Sequence, residues 1–115
     1  MHIDFNHIYM CTNYTELRKG IDGYAGIIQG SFHMNVMDKS LYIFCNRSRN
    51  KIKCLYWDGT GFWLFYKRLE KGHFKWERSE NDEAFQISEQ QLRWLLEGLK
   101  ITQKNAIKEV KKSYI

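Results

Sequence analysis

The chain has 115 residues, of which 43% are hydrophobic and 16% aromatic, and 18 Lys and Arg against 13 Asp and Glu give a net charge of +5. This length predicts one domain with a modest core, and the longest apolar run, residues 62–66, is too short to cross a membrane. The three cysteines, Cys11, Cys45 and Cys54, form no CxxC pair and lack zinc-ligand spacing, which indicates buried thiols in a reducing cytoplasm, with no signal peptide, rather than redox or metal ligands.

The N-terminal third predicts a short strand at His7–Cys11 followed by a helix. We expect the helix to begin near Asn13 or Thr15, because Asn13 is a good cap and Glu16 would then reach back to free backbone amides. Its apolar stripe at helical spacing comprises Leu17, Ile21, Tyr24, Ala25 and Ile28. Three glycines interrupt the helix at about 1 kcal/mol each relative to Ala: Gly20, Gly23 and Gly26. The helix must therefore gain stability from packing, and the glycines would allow close approach of a neighbouring backbone.

The segment from residue 41 to residue 76 predicts consecutive antiparallel hairpins. Runs rich in Tyr, Trp, Phe and Ile are separated by turns at residues 47–50, 58–61 and 71–72. Side chains alternate along a strand, so these turns assign them to two faces. One face is apolar apart from Lys67: Leu41, Ile43, Cys45, Ile52, Cys54, Tyr56, Trp63, Phe65, Leu69, Phe74 and Trp76. The other, which we call the mixed face, carries aromatics and cations: Tyr42, Phe44, Lys51, Lys53, Leu55, Trp57, Phe62, Leu64, Tyr66, Arg68 and Lys75.

A second helix should follow Ser88, which is a good cap for the leucine stripe formed by Leu92, Leu95, Leu96 and Leu99. We expect this helix to cover one face of the sheet, and Leu55, Phe62 and Leu64 are candidates to lie beneath it. Residues 100–115 carry five cations and one anion and predict a basic tail, either helical or partly frayed. Residues 1–99 thus predict a single α+β domain with an antiparallel sheet of about four to five strands in consecutive hairpins, one helix before and one after.

Basic residues concentrate between residues 47 and 78, which hold nine cations and three anions. Such cations can neutralise phosphates, and Trp57 or Tyr66 could stack on an unpaired base. The predicted nucleic-acid site places one basic group at one hairpin end and a second near the other: Arg47, Arg49, Lys51 and Lys53, then Lys67, Arg68, Lys71 and Lys75. One alternative is a solvated strand face whose charges prevent edge aggregation. Another is a protein–protein patch formed by Trp57, Phe62, Leu64 and Tyr66.

Residues for catalysis form no pattern in this sequence. The candidate carboxylates, Asp4, Asp22, Asp58 and Glu70, show no convergence of the kind that metal-dependent strand transfer needs, and Asp58 is expected in a hairpin turn. The histidines are scattered, and the glycines after Asp58 lack the Lys and helix of a phosphate-binding loop. The sequence therefore predicts no enzyme activity, no metal and no cofactor.

Several strings carry a family resemblance: residues 15–23 (TELRKGIDG), 41–46 (LYIFCN), 53–59 (KCLYWDG), 61–62 (GF), 66–72 (YKRLEKG), 74–76 (FKW) and 95–98 (LLEG). From about Ile8 to Leu99 the chain resembles the small accessory protein of IS-sixty-six type insertion sequences, the product of the second open reading frame, often called TnpB. It departs at Glu16, where the family usually has Asp, and at Glu77, where Pro is common. The resemblance implies a bacterial, non-catalytic role in transposition, with transposon DNA, the separate transposase and other co-encoded proteins as partners.

Overall fold

A five-stranded sheet with one helix on each face organises the part of the chain that the computed structural model describes, residues 3–79, 81 and 83–103. The sheet has the order β4-β3-β2-β1-β5. Its elements, in chain order, are β1 (Ile8–Cys11), α1 (Ile21–Gly30), β2 (Leu41–Cys45), β3 (Lys51–Trp57), β4 (Phe62–Arg68), β5 (Ala84–Ile87) and α2 (Glu89–Leu96). The predicted α+β class is confirmed, and helix α1 precedes β2 while α2 follows β5.

Strands β2, β3 and β4 follow the predicted hairpins. Strand β2 pairs antiparallel with β3, with Ile43 opposite Cys54, and β3 pairs antiparallel with β4, with Tyr56 opposite Trp63. This register puts the strand residues of the apolar and mixed faces on the sides that the sequence predicts, and Lys67 is the cation that interrupts the apolar face opposite Ile52.

The expectation of an entirely antiparallel sheet is wrong, because the sheet is mixed. Strand β1 runs parallel to β2, with Tyr9 opposite Tyr42, and α1 makes the crossover between them. A parallel neighbour requires such a crossover, which the helix between two strand signals provides. The last strand, β5, then pairs antiparallel with the free edge of β1, so it extends the sheet far from the hairpins.

The segment after β4 does not form the fourth hairpin strand that the sequence predicts. Instead it turns under the sheet, where the Leu69 amide donates to the Asn50 carbonyl over 2.8 Å and the Phe74 amide to the Arg49 carbonyl over 2.7 Å. Phe74 and Trp76 nevertheless lie in the apolar-face core, as predicted, and the Trp76 indole Nε1 donates to the Cys11 carbonyl. Because Phe74 and Trp76 are buried on the apolar face, the chain crosses that face from the end of β4 towards β5.

Helix α1 begins later than predicted, at Ile21, and Gly20 caps it without a side-chain hydrogen bond. The segment before it is bound to the sheet instead, because the Thr15 amide donates to the Cys45 carbonyl over 2.8 Å. The expected close backbone approach at the glycines is absent at Gly20 and Gly26, where an added Cβ would meet nothing within 4 Å. At Gly23 the same Cβ would lie 2.9 Å from the Cβ of Lys19.

Two cores lie on opposite sides of the sheet. Helix α1 buries Tyr24 and Ile28 on the mixed face, and the Tyr24 ring lies 4.7 Å from that of Phe44. Three mixed-face residues that we expected under the second helix, Leu55, Phe62 and Leu64, belong to this α1 core. That expectation is wrong because the crossover between β1 and β2 occupies the mixed face first.

The apolar face packs on α2 instead, through Leu95 with Leu92 and Leu96 at its margin. Ser88 and Gln91 close a reciprocal capping box at the start of this helix. Ile101 is buried in the same core, while the part of the predicted basic tail from residue 104 onward lies outside the described residues. None of the helices that the structure describes is long and apolar enough to span a membrane.

The buried thiols should be chemically inert in the folded protein. Burial raises the pKa of Cys45 and of Cys54 to about 12, above the ~8.5 of an exposed thiol, and Cys11 is buried as well. At pH 8 these two groups remain protonated, whereas the nucleophile in alkylation is the thiolate. We predict negligible alkylation of Cys45 and Cys54 by iodoacetamide at pH 8, followed by mass spectrometry.

The same shift carries a pH dependence of stability. The folded-state pKa of these thiols exceeds the unfolded value, so their contribution to the free energy of unfolding is intact below about pH 8.5 and declines as the pH rises towards 12.

For the alkylation experiment, a sample unfolded in guanidinium is the control and should be alkylated at all three cysteines within the same reaction time. Rapid labelling of Cys45 or Cys54 in the folded sample would contradict the buried arrangement.

Candidate functional site

One member of each predicted basic group, Lys51 of the first and Arg68 of the second, lies at the same end of the β3–β4 hairpin. Lys51 lies opposite Arg68, and Lys53 lies opposite Tyr66. The expectation that the groups occupy opposite hairpin ends is therefore wrong, because the start of β3 pairs with the end of β4 in an antiparallel hairpin. The resulting basic end lies away from the Asp58 turn.

An open groove occupies the mixed face at this end. Its volume is about 590 Å³, and the segment before α1 forms one wall against β3 and β4. The lining residues are Glu16, Leu17, Arg18, Asn46, Lys51, Lys53, Leu64 and Tyr66. A cavity of about 390 Å³ shares Glu16, Leu17 and Asn46 with it and adds Tyr14, Thr15, Arg47 and Ser48. We call the two together the basic groove, because four cations and a single carboxylate line them.

Lys53 is the most restrained cation of the basic groove. Its Nζ donates to the Lys19 carbonyl over 3.2 Å and lies 5.8 Å from the ring centroids of both Tyr24 and Tyr66. Such ring contacts stabilise an ammonium group, most strongly where water is partly excluded. Lys53 therefore presents its charge in a fixed position, with two remaining N–H donors for a ligand.

The loop between β2 and β3 is organised by the Asn46 side chain. Its Oδ1 accepts from the amides of Asn50 and Lys51, each over 3.1 Å, and its Nδ2 donates to Asn50 Oδ1 over 2.8 Å. Arg49 adopts a left-handed conformation with φ of 60°, and its amide donates to the Asn46 carbonyl. These hydrogen bonds hold Arg47 and Lys51 at the groove and stabilise the turn in which Arg49 is strained.

A pair of guanidinium groups lies on Tyr14 at the outer end of the groove. The Arg47 guanidinium is 5.9 Å and that of Arg78 is 5.6 Å from the Tyr14 ring centroid, and Arg78 Nε donates to Asn13 Oδ1. Arg78 and Arg18 were not among the predicted site residues. Arg78 gives no local sequence signal, because its partners are more than sixty residues away in the chain.

The remaining predicted residues lie outside the basic groove. Trp57 is at the far end of β3, half-buried with its ring 4.9 Å from Phe62, and Lys67 is exposed on the apolar face. Arg68 donates to Glu70 Oε1 over 2.8 and 3.1 Å, which raises the pKa of Arg68. Lys71 is exposed in the turn after β4, and a separate cavity of about 350 Å³ is lined by Arg49, Lys75, Trp76, Glu77 and Lys100.

The carboxylate that stands out electrostatically, Asp58, serves the hairpin turn. Its Oδ1 accepts from the amides of Thr60 and Gly61 and from the Thr60 hydroxyl, and its Oδ2 accepts from Trp63 Nε1. The hydrogen bond from the Thr60 amide, with those from Trp63 and the others, lowers the pKa of Asp58 well below its usual range. Within residues 3–79, 81 and 83–103, no three His, Cys, Asp or Glu side chains come together as a metal site. The cations that line the basic groove, Arg18, Arg47, Lys51 and Lys53, are groups that bind anions.

Comparison with known proteins gives one family and two relatives. The family model described as IS66 Orf2 like protein matches residues 6–106. An uncharacterised protein of Sinorhizobium fredii, y4hO, is 36% identical over 92 residues, which are 80% of this chain and 79% of the relative. A second from the same organism, y4jC, is 26% identical over 92 residues, 80% of this chain and 78% of the relative. No solved structure matches the chain.

The role of Asn46 can be tested by truncating its side chain. Asn46→Ala removes three hydrogen bonds from a half-buried loop, and we expect a loss of about 1–3 kcal/mol in the free energy of unfolding. Hydrogen exchange at the Asn50 and Lys51 amides should become faster, since both lose their acceptor. Asn50→Ala is the matched control, because it removes only one of these bonds and keeps both amides paired. Equal effects of the two substitutions would contradict this role.

Proposed function

The chain belongs to the family of IS66 Orf2-like proteins, and we propose that it is a non-catalytic accessory protein of insertion-sequence transposition that binds the phosphate backbone of transposon DNA in its basic groove. Membership indicates the transposition role at the level of the family. The observation that carries the DNA contact is the meeting of Lys51, Lys53, Arg18 and Arg47 around one open groove.

The arrangement of these cations suits phosphates better than a compact carboxylate ligand. Lys51 and Lys53 project from the same face of one strand, two residues apart, and Arg47, in the loop before that strand, lines the adjoining cavity. A row of cations along an open groove can follow a sugar–phosphate chain, and each contact releases counterions from it. Glu16 is the single acid in the lining and lies 3.5 Å from Arg18, which weakens its repulsion of phosphate.

Tyr66 adds a contact for bases. Its side chain is 54% exposed at the groove, and Lys53 lies against its ring. An exposed ring beside a phosphate-binding cation is the arrangement on which unpaired bases stack in proteins that bind single strands. The groove thus supports contact with both the backbone and a frayed or unpaired base at a transposon end.

A protein–protein adaptor without DNA contact is the competing function. Of the four aromatic and leucine residues predicted for such a patch, Phe62 and Leu64 pack at the margin of the α1 core and Trp57 packs on Phe62. Tyr66 alone among them is more than half exposed. This burial favours DNA contact over an adaptor patch on the mixed face, although the proposed accessory role still includes the transposase and other co-encoded proteins as partners. The proposed setting is the bacterial cytoplasm, and the proposal needs no cofactor and no membrane.

Salt dependence tests the phosphate contact. The variant Arg18→Gln/Arg47→Gln/Lys51→Gln removes three groove cations that are exposed or half-exposed and outside both cores. For duplex DNA each phosphate contact contributes about −0.9 to the slope of log K against log salt concentration. We expect the slope for transposon-end DNA, measured by fluorescence anisotropy, to flatten by about 2.7, and the affinity at low salt to fall.

The matched control removes the same charge elsewhere. Lys39→Gln/Arg93→Gln/Lys100→Gln neutralises three exposed cations outside the groove, so it changes the net charge equally and should change the slope by less than one unit. If both variants flatten the slope alike, binding depends on net charge and the groove has no special part. If the wild type binds DNA with a salt-insensitive affinity, or does not bind it at low salt, the adaptor function is favoured.

Stacking on Tyr66 can be tested separately. Tyr66→Ala should weaken binding of single-stranded DNA by roughly 1–3 kcal/mol, the usual contribution of a stacked base. Tyr66→Phe retains the ring and should bind within about twofold of wild type. Duplex binding should change less than single-strand binding in Tyr66→Ala, and equal losses on the two DNA forms would argue against stacking.

A further inference from the structure

The outer edge of β4 carries backbone N–H and C=O groups that form no backbone hydrogen bond with another described segment. At the two ends of the β3–β4 hairpin, the Asp58 amide donates to the Gly61 carbonyl and the Leu69 amide donates to the Asn50 carbonyl. Between these two hydrogen-bonded pairs, hydrogen-bonded and non-hydrogen-bonded residue pairs alternate along the strands. Trp63, Phe65 and Lys67 therefore direct their amides and carbonyls towards β3. The backbone amides and carbonyls of the other four residues point away from the sheet: Phe62, Leu64, Tyr66 and Arg68.

This edge is long and uncovered in the described structure. Strand β4 is at the end of the sheet order, and no backbone hydrogen bond from another described segment reaches those four residues. Native edges are usually short, bulged or interrupted by Pro, whereas β4 has seven regularly paired residues and the chain contains no Pro. A strand of this kind can accept another strand.

We propose that β4 is a self-association edge, at which a second copy of this chain pairs antiparallel about a two-fold axis through Phe65. In this register Phe62 lies opposite Arg68 of the other copy and Leu64 opposite its Tyr66. All four are residues with outward backbone groups, so each such pair exchanges two hydrogen bonds. The register uses the whole strand and is compatible with the alternation that β3 imposes.

The electrostatic complementarity between the cations and the aromatic rings of β4 favours a second copy as the occupant of this edge. The two cations of β4 oppose rings and not each other across the axis, because Arg68, which is also paired with Glu70, faces Phe62 and Lys67 faces Trp63. Opposed like charges would destabilise the pair, whereas cation–ring contacts stabilise it. Cations commonly protect an edge strand from pairing, but in this register each cation of one copy lies opposite an aromatic residue of the other.

The apolar side of the edge is incomplete in one copy. Trp63 is 45% exposed and its ring is stacked on Phe65, with centroids 6.0 Å apart. Beside them a cavity of about 240 Å³, predominantly apolar, opens between β4, the segment Ile3–Phe5 and the margin of α2 at Leu92 and Leu96. The Trp63 and Phe65 side chains of a second copy would extend the apolar surface beside this opening and remove it from water.

The pairing also relates the two basic grooves. A two-fold axis perpendicular to the sheet leaves the mixed faces of both copies on the same side. Two grooves would then face the same ligand, which lengthens the surface available to DNA. The self-association itself does not depend on DNA binding and is tested without DNA.

Cysteine cross-linking tests the register. In the double variant Trp63→Cys/Lys67→Cys the two new thiols face each other across the proposed interface, at non-hydrogen-bonded positions whose Cα atoms are about 4.5 Å apart and within reach of a disulfide. Mild oxidation should yield a covalent dimer. In either single variant the like thiols are about 14 Å apart along the strand and should remain uncross-linked. The native cysteines are buried and should not contribute.

Hydrodynamics tests the backbone pairing in the full chain. Sedimentation of the wild type should give twice the chain mass of 13.9 kDa. Tyr66→Pro removes an outward amide without breaking a β3 bond and should give the mass of one chain, whereas Tyr66→Ala keeps the amide and should remain dimeric. A wild type that stays monomeric throughout the micromolar range overturns the proposal. So does a folded double variant that fails to cross-link, or cross-links no more than the single variants.

Discussion

The antiparallel register of β3 against β4 is the constraint on which the rest of the arrangement depends. It pairs Lys53 with Tyr66 on one face and Cys54 with Phe65 on the other. A slip by one residue would move every side chain of one strand to the opposite face, burying lysines in the α2 core. The Asp58 turn opposes such a slip, because its carboxylate holds Thr60, Gly61 and the Trp63 indole at once. Groove, core and edge therefore follow from a single pairing.

The mixed face is divided by α1 into a buried part and an exposed part. Tyr24 and Ile28 seal Tyr42, Phe44 and Leu55 towards the middle of the sheet. The segment before α1 then crosses the end of β2 and β3, where Thr15 pairs with Cys45, and becomes one wall of the groove. Burial continues to the groove floor, where the ring of Tyr24 meets Lys53. The core and the candidate site are thus parts of one packing arrangement, in which Lys51 and Lys53 lie on strand β3 while Arg18 and Arg47 lie on the segments that flank the sheet.

Local patterns in the sequence predicted the hairpins and their faces because side chains alternate with period two regardless of the tertiary context. They did not predict the parallel neighbour of β2 or the pairing of β5, since both depend on contacts between distant segments such as Met10 and Phe85. The start of α1 was missed because Asn13, a good cap in isolation, accepts from Arg78 and Tyr14 instead. Similarly, Arg78 joins the site through Tyr14, which no local spacing reveals. The sequence showed the concentration of basic residues, but the position of Lys51 opposite Arg68 needed the strand pairing itself.

The number of cations limits the proposed contact of one copy with DNA. Four cations line the basic groove, so one chain can neutralise about four phosphates, fewer than the six to ten contacts of many DNA-binding proteins. A single groove is therefore expected to bind weakly at physiological salt and to act only beside a partner that adds contacts. Two copies joined at β4 would double the row of cations on one side of a continuous sheet, and a transposase bound to the same DNA would have a similar effect. The small size of the groove thus agrees with the proposed accessory role.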